Sequence, residues 1–355
     1  MNGNPSSVIV DWNLARRLAD QVAGSPPDVA LPGDLQARCE DAAARVAAYT
    51  RLTPATPLPP PEAVNRHIWL ELNLAGMQAT LDPVLERALA NTPTGAGPVR
   101  ALGGAVIGAE VGALSGYLGR RVLGQYELQL LDPDYPPRLL FVSPNLADAA
   151  RALDADLDEL LSWVAFHEVT HAVQFAGVPW LRTHLAGLLT ELLESLELKV
   201  DLKAALKLPS LDDLRALADG LKEGGLVNAV AGPERRAIVD RIQSVMALIE
   251  GHAEHVMDAV GEGVLPNLPA LRSAMNRRRA DRSPLVRVLE RIIGLDMKLA
   301  QYETGKAFCD AVVAEGGIER LNVAWTEASL LPSPVELKDP AQWLKRTRVP
   351  AVTPG

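Results

Sequence analysis

Gly104, Gly108, Gly112 and Gly116 recur every four residues between Ala101 and Gly119. A helix there carries all four on one face. Each glycine costs a helix about 1 kcal/mol relative to alanine, so the face needs a compensating contact. A bare stripe lets a second backbone approach closely, and the chain is expected to bury this helix against another. Small residues at this spacing also mark contacts between membrane helices. Glu110 and Ser115 interrupt the segment, which is barely long enough to span a bilayer. A buried helix of a soluble protein is therefore the expectation.

Composition points the same way. Ala and Leu supply about 30% of the 355 residues and aromatics only 4%, a mixture that favours helices over β-sandwiches and barrels. A net charge of −9 argues against a nucleic-acid partner, which calls for a basic footprint. Two cysteines, Cys39 and Cys309, exclude a disulfide scaffold and any zinc site built on a cysteine cluster. Residues 1–10 show no basic stretch followed by an apolar one. With so few cysteines, the cytoplasm is the expected compartment.

Helical periodicity runs over Asp11–Ala23, Pro32–Thr50 and Glu62–Ala90. Five prolines between Leu52 and Pro61 make that stretch an extended connector. Gln125–Leu131 and Arg138–Ser143 read as strands of a β-hairpin around Asp132-Pro-Asp-Tyr-Pro-Pro137. The second strand could serve as an edge for an extended peptide, or simply cover the core. Further helices are expected over Asp156–Ala176, Trp180–Leu206, Leu211–Lys222, Pro233–Val260 and Leu285–Ala314. The proline-rich end of the chain reads as a surface tail.

The chemistry concentrates in His167-Glu-Val-Thr-His171. Histidines at i and i+4 project from one helix face and can share one metal ion. Glu168 is rotated by about 100° from His167, which sets it beside the open position of that ion. A bound zinc lowers the pKa of its water to about 7, and a carboxylate beside it can take the proton. The flanking residues are apolar (Leu160, Leu161, Trp163, Val164, Phe166, Val173, Phe175), so the helix is expected to be buried. Two histidines and a glutamate buried without partners would be costly, and a shared metal removes that cost.

A catalytic zinc needs a third protein ligand. Gly177 stands six residues after His171, which excludes the motif that places a third histidine there. His184 follows Pro179 and reads as a non-ligand. A second cluster, Glu250, His252, Glu254 and His255, crowds six positions of the helix from Pro233. Any of these can ligate, and Glu250 and Glu254 share a face. Gly251 removes a side chain beside Glu250 and lets a helix or a metal come close.

Glu250-Gly-His-Ala253 resembles the Glu-Gly-x-Ala element that supplies the third ligand in glutamate-type zincins. The resemblance makes Glu250 the third ligand, ahead of His252 or His255, and Glu254 the partner that orients His167. The gap of 79 positions from His171 to Glu250 exceeds the usual spacing, so long helical insertions are implied. As a whole the chain resembles the bacterial zincin-like metallopeptidase type 2 family, whose members are also labelled provisional hydrolases and deazaflavin-cofactor-biosynthesis-associated proteins. The likeness is carried by Arg121–Leu128, Phe166–Phe175 with Gly177–Trp180, Ile249–Glu254, Asn276–Ala280 and Gln301–Gly305.

The fold expected is mainly α with a small hairpin or sheet, a zincin-like helical fold with long helical insertions. One domain over 1–355 is expected: N-terminal helices over 1–120, a zincin-like core over 121–335 and a tail over 336–355. The expected function is a zinc-dependent hydrolase acting on a peptide or amide. His167, His171 and Glu250 are expected to hold Zn2+ with Glu168 as the base, and Tyr302 could donate to the developing oxyanion or simply pack within its helix. The alternative is a non-catalytic metal-binding or helical interaction protein. Arg277, Arg278 and Arg279 read as a solvated helix end, where cations are favoured.

Overall fold

The computed structural model describes residues 10–90, 98–195, 233–280 and 296–348. They divide into two compact units. One comprises 1–38, 59–164 and 193–202, the other 39–58, 165–192 and 203–355. The helices expected over Leu211–Lys222 and at the start of Leu285–Ala314 lie outside the described residues.

In the first unit, α1 (Trp12–Ala23) starts at Asp11, whose carboxylate accepts from the Leu14 backbone N–H. Such a cap satisfies one of the donors a helix start leaves open. The glycine helix, α4 (Pro98–Gly119), lies along α1. A Cβ on Gly112 would stand 2.5 Å from the Ala15 carbonyl oxygen, and one on Gly116 2.5 Å from that of Ala19. Gly108 faces the Asp11 carbonyl in the same way, and the Gly104 carbonyl accepts from the Asp11 N–H. The stripe is thus the seat of α1. Among the described residues no helix is long and apolar enough to cross a membrane.

This unit also holds β1 (Pro61–Val64) and α3 (Arg66–Ala90), which precede α4, and β2 (Gly124–Glu127), β3 (Arg138–Val142) and α5 (Ser143–Leu153), which follow it. The sheet order is β1-β3-β2. β3 pairs antiparallel with β2, as a hairpin requires, and parallel with β1. The helix expected from Glu62 therefore begins only at Arg66, and the end of the connector continues into a strand instead. Pro61 opens it, a position where proline is tolerated at a sheet edge. β3 is the central strand and its edges are both taken, so it cannot accept an added peptide strand. Leu139, Leu140, Phe141 and Val142 are all buried, as a central strand demands.

Arg66 ties this unit together. Its guanidinium donates to Asn145 (2.6 Å), the Ala23 carbonyl (2.9 Å) and Asp148 (2.6 Å). Asn145 in turn donates to the Gly119 and Val122 carbonyls. A buried arginine is stable only when so satisfied.

The second unit holds the rest of α2 (Leu35–Thr50) and of α6 (Leu157–Gly177), then α7 (Pro179–Ser195), α8 (Pro233–Gly261), α9 (Leu268–Ala280) and α10 (Asp296–Asn322). α8 packs along α10, which breaks at Gly316 and Gly317. Gly317 takes φ 75°, a left-handed conformation that favours glycine. Two short helices follow, α11 (Pro334–Lys338) and α12 (Pro340–Arg346). The expected surface tail is therefore partly core. Ser333 and Glu336 form a capping box, and Trp343 is fully buried against Phe308, with the Arg320 guanidinium over its ring at 4.8 Å from the centroid.

Two predictions follow from the packing. Gly112→Val, which must push the α1 backbone away, should lower stability by about 1–3 kcal/mol or more in urea unfolding. Gly103→Ala on the same helix meets nothing within 4 Å and should raise stability by about 0.4–1 kcal/mol.

Glu127 on β2 is buried, which pushes its carboxyl above the ordinary range against the opposing charge of Arg138. A raised carboxyl contributes stability below its unfolded pKa and loses it as pH rises through the folded value. Glu127→Gln should therefore melt higher than wild type at pH 8, with the difference vanishing near pH 4.

Candidate metal centre

Helix α6 starts with Asp156, whose carboxylate accepts from the Glu159 N–H, and carries Asp158 and Glu159 in its first turn. Both features suit the positive end of a helix. Within the second unit it buries Phe166, Val169, Ala172 and Val173. It ends at Gly177, where the chain passes Leu52. The five-residue motif thus lies on a rigid, buried helix.

The i, i+4 spacing brings the rings of His167 and His171 edge to face, with centroids 4.7 Å apart. Their Nε2 atoms lie 3.2 Å apart. Helix α8 delivers Glu250 to the same point, with its Oε2 3.6 Å from each of the two Nε2 atoms. Three donor atoms, two imidazole and one carboxylate, therefore converge within 4.8 Å of one another.

These separations suit a metal. Ligands at about 2.0–2.1 Å in tetrahedral array stand roughly 3.3 Å from one another. The separations of 3.2, 3.6 and 3.6 Å lie close to that edge. The set of two imidazoles and one carboxylate is also a donor set that zinc takes.

The electrostatics agree. Burial would raise the Glu250 carboxyl, but the His171 and His167 rings outweigh it and hold the carboxyl far below the ordinary range. Burial would lower His167, but the Glu250 hydrogen bond and the charges of Glu168, Glu250 and Glu254 raise it. Three carboxylates thus bear on the His167 ring, an environment that favours a cation.

Glu168 is buried beside this group, at 7% exposure, and acts on His167 through its charge. Glu254 acts on His167 in the same way. The hydrogen bond implied between Glu254 and His167 is not formed, because His167 Nδ1 is buried without a hydrogen-bond partner. The next two histidines of the cluster point elsewhere. His252 is fully buried with its ring edge-on to Trp325, at 5.4 Å between centroids. Burial, then the charges of His255 and His171, push it down to about 3, so it stays neutral. His255 uses both ring nitrogens, one with Tyr49 and one with Asp310. His184 packs on Trp180 outside the group. Tyr302 lies on α10, and its side chain is outside the described residues, as are those of Arg278 and Arg279. Arg277 is exposed near the end of α9.

A sequence profile of the zincin-like metallopeptidases matches residues 10–344. The chain belongs to that family. Membership implies a metal, typically zinc, and His167, His171 and Glu250 form a group that could hold one. Among solved structures, the chain is similar to a protein from Chloroflexus aurantiacus provisionally described as a hydrolase with a novel fold. The two share 30% identity with a TM-score of 0.67, over 95% of this chain and 98% of that one. No curated protein matches the chain.

Two side chains that hold the second cluster in place were not legible in the sequence. Tyr49 and Asp310 carry no motif, and their link to His255 spans 206 and 55 positions. Gly305 gave a signal only as part of the resembling segment Gln301–Gly305. His67, which has no partner in sequence, pairs with exposed Asp20 at 2.9 Å in the first unit.

Proposed function

We propose that this zincin-like protein is a zinc-dependent hydrolase that cleaves a peptide or amide bond. The observation that carries the reading is the convergence of His167 Nε2, His171 Nε2 and Glu250 Oε2. When bound, zinc would polarise the scissile carbonyl and acidify a water. Among the described residues three side chains converge at this point, and three protein ligands leave a fourth position for water, the arrangement of catalytic rather than structural sites.

The chain's own residues then do the following. His167, His171 and Glu250 would hold the ion. Glu168 accepts a proton from the attacking water as the C–O bond forms. It returns that proton to the leaving nitrogen as the C–N bond breaks. The buried position of Glu168 supports this role, since a carboxylate screened from bulk water keeps the proton for the leaving group. Tyr302 is assigned as donor to the developing oxyanion on the sequence alone. The apolar surroundings of α6 support exclusion of water from the reacting centre.

Two measurements test the reading. Elemental analysis of purified protein should find about one zinc per chain in wild type and in His252→Ala. Glu250→Ala should lose more affinity than the roughly 10–100-fold that loss of a ligand's hydrogen-bond partner costs. Glu168→Gln should keep its zinc and lose about 10²–10⁴-fold in turnover of a peptide-library substrate followed by mass spectrometry. Full activity in Glu168→Gln would sink the mechanism. Zinc binding without turnover of any library member would favour a non-catalytic metal protein.

A further inference from the structure

The proposed ligand set takes two donors from α6 and one from α8. The two on α6 are fixed by the pitch of a single helix. The third depends on whatever sets the distance and rotation of α8. The residues that do so lie on either side of Glu250.

Ala247 and Gly251, one turn apart on α8, straddle Gly305 of α10. A Cβ added to Gly305 would overlap the Ala247 carbonyl, and one added to Gly251 would overlap the Gly305 backbone. The two helices therefore meet backbone to backbone at the residue next to Glu250. No other residue type fits either side of this crossing without moving α8.

One turn beyond, His255 fixes the rotation of α8. Its Nδ1 lies 2.7 Å from Asp310 on α10, and its Nε2 lies 2.7 Å from the Tyr49 hydroxyl on α2. Burial would raise the Asp310 carboxyl, but His255 and Lys306 hold it below the ordinary range, so it is an acceptor. His255 Nδ1 thus carries the hydrogen, and Nε2 accepts from Tyr49. Lys306 bridges Asp310 (2.6 Å) and Asp258 of α8 (3.2 Å), and Asp258 also pairs with Arg272. His255 is held from two directions, and both of its bonds sit within two turns of Glu250.

We infer that α10 is the positioning element for Glu250. The Gly251–Gly305 crossing sets the distance of α8, and the Tyr49–His255–Asp310 chain sets its rotation. Neither supplies a donor atom, yet both set metal affinity. This rests on the reading of Glu250 as a ligand. The reason is geometric, since a ligand held even about 0.5 Å out of place no longer matches the ion.

The test is zinc affinity by chelator competition on the full chain, with the cobalt(II) spectrum as a readout of ligand geometry. Circular dichroism melting of the metal-free protein reports folding. His255→Gln, Asp310→Asn and Gly305→Ala are compared with Glu250→Gln and with Leu140→Val, which loosens the buried core of the first unit. His255→Gln and Gly305→Ala should bind zinc about 10–100-fold more weakly with shifted cobalt bands, and Asp310→Asn should do so more mildly. Leu140→Val should melt lower yet bind zinc as wild type does. If Gly305→Ala does not fold, His255→Gln and Asp310→Asn decide. Wild-type zinc affinity in Glu250→Gln would overturn the ligand reading itself. Weakened binding in Glu250→Gln beside wild-type affinity and spectra in both His255→Gln and Asp310→Asn would overturn the positioning role alone.

Discussion

The centre depends on a carboxylate brought out of water against two imidazoles. Glu250 is largely buried, and an isolated buried carboxylate would protonate or stay in solvent. The His167 and His171 rings 3.6 Å away make its ionised form favourable instead. The same contact is what a cation would replace with stronger bonds. Helix α6 must therefore present both rings on one face, and α8 must carry the glutamate at the height of those rings. Much of the second unit follows from holding these two helices in that relation.

Glycine performs the close work in both units, for one physical reason. In the first, Gly108, Gly112 and Gly116 let α1 lie on the backbone of α4. In the second, Gly251 and Gly305 let α8 and α10 touch. Each glycine weakens its own helix slightly and removes the side chain that would hold the neighbour off. In the first unit the result is a packed pair of helices. In the second the same device stands next to a proposed metal ligand, where a small displacement matters more.

What the sequence made legible was local. The i, i+4 histidines and the glycine stripe depend only on helix pitch, and each is found on the helix expected for it. The hairpin was legible from alternation and a proline-rich turn. Glu250 was reached by resemblance, because spacing alone left Glu250, His252, Glu254 and His255 equivalent. Their difference arises from long-range contacts: His252 turns to Trp325 and His255 to Tyr49 and Asp310. β1 was hidden because prolines disguise an edge strand whose partner lies 78 positions on. Trp343 was hidden because a short capped helix in a proline-rich stretch has too few residues to show a period.

The central claim is that one ion is held by two imidazoles and one carboxylate. Zinc-edge X-ray absorption on the purified full chain tests it most directly. The account predicts a four-coordinate shell of nitrogen and oxygen at about 2.0–2.1 Å with scattering from two imidazole rings, one ring fewer in His171→Ala. A shell containing sulfur, a third imidazole, or no bound zinc at all would contradict it.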